Sequence, residues 1–143
     1  MEKNLNKARI ITWAMMAGVI FFGVVAFSVS DRNGYGASSE AKMNFMRGII
    51  FLFSATQIAL AFAIKKTIRA MSSNTSSSRL LSLQIVINAF CEVIALFGLV
   101  LVFMSKSFLD YIIFALISLL AFTFFFPKLK EWEHKTIDGI TKD

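Results

Sequence analysis

Four apolar runs dominate this chain: Ile10 to Val29, Phe45 to Ile64, Leu80 to Met104 and Phe108 to Phe126, each of about 19 to 25 residues. A bilayer core of about 30 Å takes about 20 residues of helix to cross. Backbone groups in lipid must be paired within the structure, which makes helices the only open-ended solution. With 57% hydrophobic and 17% charged residues in 143, the chain also carries more apolar surface than a soluble domain of this size encloses. The sequence therefore predicts one all-α membrane domain over residues 1–143, a bundle of four transmembrane helices with membrane lipids as its solvent. The first run has a basic lead of Lys3, Lys7 and Arg9. It is longer than the apolar stretch of about 7 to 15 residues in a signal peptide and is taken as a retained span.

Basic residues set the expected orientation. Eleven of the 15 Lys and Arg fall in the two tails and the second loop, and four fall in the first and third loops. The positive-inside rule then places both termini on the cytoplasmic side. Trp13, Tyr111 and Trp132 lie near span ends, where interfacial anchors belong. Asn33-Gly34 reads as a turn in the first loop. The second loop is nearly pure Ser, Asn and Thr, and the stretch after Pro127 reads as an amphipathic stub. The third loop is so short that the third and fourth spans are expected to form a tight antiparallel hairpin.

In lipid, helices associate through small residues that permit close approach and through polar residues that bond across. Ala55, Ala59 and Ala63 repeat every four residues in the second span. Cys91, Ala95 and Gly98 form a stripe in the third, and Ala14 and Gly18 stand in the first. These positions are the expected helix-packing faces.

The composition excludes several functions. Cys91 is the single cysteine, so no intrachain disulfide forms, and no metal-ligand spacing surrounds it. The lone His134 sits in the tail, and no Ser–His, paired-Asp or metal constellation lies within the spans, so no enzyme and no cofactor are expected. The net charge of +6 is a signal of topology and of contact with anionic lipid. No basic stripe interleaved with aromatics suggests nucleic acid.

Glu92, near the middle of the third run, is the residue that most suggests a role. A carboxylate at the centre of a membrane helix costs about 2.5–3.5 kcal/mol on insertion scales. Gln84 and Asn88 precede it at intervals of four and share its helix face. Ser54 and Gln57 lie at similar depth in the second span, and Gln57 meets Glu92 if spans two and three are neighbours. Hydrocarbon favours the neutral acid, whereas an aqueous path or a cation favours the carboxylate, so a group between the two can load and release an ion. Glu92, Gln57, Asn88 and Ser54 are the candidate ion-binding residues.

The string Asn88 to Leu101, with Ala89, Glu92, Ala95, Phe97, Gly98, Leu99 and Val100, resembles the carboxylate-bearing helix of subunit c, the proteolipid of rotary F/V-type ATPases. The match covers about 14 of the 143 residues. The second span has alanines where that family has a dense glycine repeat, and the second loop lacks its Arg-Gln-Pro signature. Val93 follows Glu92 where sodium-binding versions often carry Ser or Thr, which favours a proton. The resemblance implies a ring-like homo-oligomer in a bacterial cytoplasmic membrane, with Glu92 as its proton-carrying group. A second expectation is a small four-span adaptor or assembly factor that holds a larger membrane partner without transport.

Overall fold

The computed structural model describes residues 2–30, 40–70 and 77–127. These form four helices: α1 (Glu2–Val29), α2 (Glu40–Ala70), α3 (Ser77–Ser105) and α4 (Phe108–Phe125). All four are long and apolar enough to cross a membrane. No strand occurs among the described residues. The first two loops and the chain after Pro127, with Trp132, His134 and the expected stub, lie outside them.

α3 is the hub, packed along α1, α2 and α4, and α4 also lies against α1. α1 and α3 run parallel: Thr12 bonds Asn88, and Ala26 shares a buried cluster with Val102. α2 runs antiparallel to α3, with Ile50, Ile94, Leu101 and Phe114 in one cluster. The largest core cluster brings all four helices together around Val19, Ala61, Ile87, Cys91 and Phe122.

The α3–α4 hairpin turns through two residues. Lys106 takes the left-handed region at φ 57°, the geometry in which helices commonly end on glycine. A β-carbon there is strained, so Lys106→Gly is expected to stabilise the hairpin by about 1 kcal/mol. A thermal midpoint in detergent below that of the parent would contradict this.

The other end of α4 is closed by chemistry from its neighbours. Phe126 has φ −53° and ψ 135°, the extended conformation that a following proline imposes, so Pro127 stops the helix. The last carbonyls of a helix have no partner within it. Here Gln84 Nε2 of α3 donates to the Phe125 carbonyl at 3.1 Å, and Lys65 Nζ of α2 donates to that of Phe124 at 3.3 Å. The buried Lys65 ammonium also lies 5.9 and 5.5 Å from the Phe124 and Phe125 ring centroids, and its charge opposes the negative end of the α4 dipole.

Tyr111 departs from its expected role as an interfacial anchor. It is buried between α1 and α3, where its hydroxyl donates to the Val19 carbonyl. The ring fits because Gly23 has no side chain: a β-carbon there would stand 3.2 Å from Tyr111 Cε1. Trp13 is exposed at the surface of α1.

Candidate functional site: a mid-span glutamate beside a buried polar ladder

Threonine and serine in a membrane helix satisfy their hydroxyls on the carbonyl one turn back. Thr12 does so, donating to Ala8 at 2.8 Å, and its oxygen is left to accept from Asn88 Nδ2 at 2.8 Å. Asn88 Oδ1 accepts from Gln84 Nε2 at 3.1 Å. Because Gln84 Nε2 also reaches the Phe125 carbonyl, an unbroken ladder of polar groups ties α1 to α3 and α3 to the end of α4. Thr12, Gln84 and Asn88 are all buried. In hydrocarbon the alternative to these bonds is an unsatisfied amide, so the ladder fixes helix register.

Glu92 does not join the ladder, although Asn88 lies one turn away. Each step of four residues rotates about 40° around a helix, and the Asn88 amide is already engaged by Thr12. Glu92 instead lies at the edge between α3 and α1, partly exposed. Its Oε1 rests on Gly18, where an added β-carbon would stand 3.0 Å away. It makes no hydrogen bond or ion pair with any described residue. The glycine is what lets a carboxyl occupy that notch.

The expected meeting of Glu92 with Gln57 and Ser54 does not occur within the chain. α2 packs against Ile94 and Leu101, which lie about 160–180° around α3 from Glu92 at 3.6 residues per turn. Ser54 is buried and donates to the Ile50 carbonyl of its own helix at 2.9 Å. Gln57 is half-buried, with Oε1 enclosed and unbonded. Of the other three candidate ion-binding residues, only Asn88 is on the same side of α3 as Glu92.

The small-residue stripes fare differently from one another. Cys91, Ala95 and Gly98 are buried, and Ser118 of α4 donates to the Cys91 carbonyl at 2.7 Å. Ala55, Ala59 and Ala63 are exposed, as is Ala14. Within the chain α2 docks through Met43, Ile50, Ser54, Ala61 and Lys65 instead. Both sets repeat at helical spacing, and side-chain size alone does not choose between them.

A second polar cluster was not singled out from the sequence. Asp110, three residues into the fourth apolar run, receives Arg47 Nε and Nη2 on its two oxygens at 3.0 Å each, and Ser105 Oγ donates to its Oδ2 at 2.7 Å. Arg47 also donates to Asn44 at 3.1 Å. The cluster ties α2 to the α3–α4 turn. Arg47 counts in the sequence as a loop charge, and Asp110 is masked by its apolar neighbours. The available signal was an acid and a base each about one turn inside spans that meet the same membrane face.

Compared with family models, with curated proteins and with solved structures, the chain matches none.

Proposed function

We propose that this multi-pass membrane protein works as a subunit of a homo-oligomer in which Glu92 binds and releases a proton, with both termini in the cytoplasm. One observation carries the reading: a carboxyl halfway along a membrane-spanning helix, at a lateral edge of the bundle, with no bonding partner among the described residues. The ladder of Thr12, Asn88 and Gln84 closes without it, so the acid is not part of what that ladder holds together. Hydrocarbon accepts the neutral acid and penalises the carboxylate. A change of environment at that edge, from lipid to an aqueous path or a cation, therefore becomes a change of proton occupancy. The bias of basic residues toward the tails and second loop supports the orientation. The local resemblance to subunit c supports a proton as the ion.

The test is Glu92→Gln, reconstituted in liposomes with a pH-sensitive dye inside. Proton flux is expected to fall to background while the assembly keeps its size. Flux equal to the parent's would end the proposal.

The second reading, an adaptor without ion traffic, is favoured by the absence of Ser54 and Gln57 from the Glu92 side, which leaves the carboxyl without a coordinating set. It expects Glu92→Gln to be silent and the purified protein to run as one copy bound to a partner of different mass.

A further inference from the structure

Two side chains near the middle of the bundle carry unbonded polar atoms, and they lie on opposite flanks of α3. Glu92 faces the α1 edge. Gln57 is on α2, and Nε2 of its amide is not enclosed, in contrast to Oε1. Their depths agree. Ile50 clusters with Leu101, Ala61 with Ile87, and Ile68 packs against the cluster of Leu80. This antiparallel register sets Gln57 level with the turn of α3 that carries Glu92, to within about 5 Å, one helical pitch.

Within one copy the two groups are separated by the thickness of α3. Between copies that share the membrane normal, the α1–α3 edge of one can meet the α2–α3 edge of the next with no change of depth. We infer that neighbouring copies pack head to tail in this way, with Glu92 of one copy hydrogen-bonded to the Gln57 amide of the other. The inference rests on the homo-oligomer proposed above. The chemistry is complementary in both protonation states. A protonated Glu92 donates its O–H to Oε1, and an ionised Glu92 accepts from Nε2; a half-turn of the amide exchanges the two atoms. A two-fold contact through the Glu92 edge would set carboxyl against carboxyl and leave both amides in lipid. The head-to-tail contact gives the carboxyl and the open atom of the amide a bond with each other. Such a contact is heterologous, so it repeats around a ring if the rotation closes.

The experiment uses the full chain in native membranes with Cys91→Ser as background. Ala89→Cys and Leu60→Cys place thiols on the two edges at matching depth. Mild oxidation of the double-cysteine chain is expected to give a ladder of dimers, trimers and larger species. Each single-cysteine chain alone should stay monomeric, and the two co-expressed should give dimers only. Dimers from one single-cysteine chain alone, or no ladder from the double, would overturn the inference.

Glu92→Leu and Gln57→Leu are each expected to lower the association constant by about threefold to twentyfold, the range of interhelical hydrogen bonds in bilayers. The exchanged pair Glu92→Gln with Gln57→Glu should restore it, and failure to restore counts against the contact. A ladder without proton flux removes the proposed proton role and keeps the contact. Flux without a ladder removes the contact and keeps the proton role.

Discussion

Gly98→Ala is expected to lower the stability of the folded chain in detergent by about 1–3 kcal/mol, the range for overpacking a close-packed interface. A β-carbon on Gly98 would stand 2.7 Å from Phe114 Cβ and 3.4 Å from the Tyr111 Cα and carbonyl oxygen. None of these atoms is the free end of a flexible side chain, so α4 itself must retreat. Retreat lengthens the bonds that cross the same seam, Ser118 to Cys91 and Gln84 to Phe125, and shifts Tyr111 of α4 against Val19 of α1. Alanine does favour a helix over glycine by about 1 kcal/mol, but that gain is local and does not offset the loss of a helix–helix seam.

Gly48→Ala provides the control. A β-carbon there meets nothing within 4 Å, so only the propensity gain remains and the thermal midpoint should hold or rise. Gly18→Ala is intermediate, since the group it meets is the mobile end of Glu92. Equal midpoints for the Gly98 and Gly48 variants would refute the close-contact account of the α3–α4 seam.

Arg47→Ala is expected to be the most damaging single change of charge, costing about 3 kcal/mol, because it strands a buried carboxylate. The Asp110 side chain is 8% exposed and the Arg47 side chain 41%. Removing the acid leaves a guanidinium that headgroups and water can still reach, so Asp110→Ala should cost less than Arg47→Ala. The asymmetry separates a buried pair from a surface pair, for which either deletion costs about 1 kcal/mol or less. Replacing both by leucine should recover most of the loss, since an apolar pair needs no solvation at that depth. Denaturant titrations of the two single variants and the double would measure the coupling. Additive losses would mean that the 3.0 Å contacts contribute nothing beyond their separate side chains.

The four spans were legible because length and hydropathy are properties of the chain that no packing arrangement alters. The end of α4 was legible for the same kind of local reason, since Pro127 forces the residue before it out of the helix. The depth of Glu92 could be counted along α3. Its neighbours could not. Spacing by four put Gln84, Asn88 and Glu92 on one stripe, yet the helix turns by about 40° at each step, and α1 engages Asn88 while leaving Glu92 at the edge. Similar depth put Gln57 near Glu92, and the choice of α3 flank for α2 put them apart.

The alanine stripe shows why this limit is physical. In water the buried face of a helix announces itself as the apolar one. In lipid both faces are apolar, so Ala55, Ala59 and Ala63 and the docked set of Met43, Ile50, Ser54, Ala61 and Lys65 look equally suited to packing. The pairing of Arg47 with Asp110 and the placement of Tyr111 over Gly23 join positions far apart in the chain, and no local pattern links them. Composition and length alone determined that this chain forms apolar helices of membrane-spanning length and carries an acid halfway along one of them. Which faces touch, and therefore which polar groups are satisfied and which are left facing outward, was decided only when the helices packed, because hydrocarbon gives a helix no preferred side.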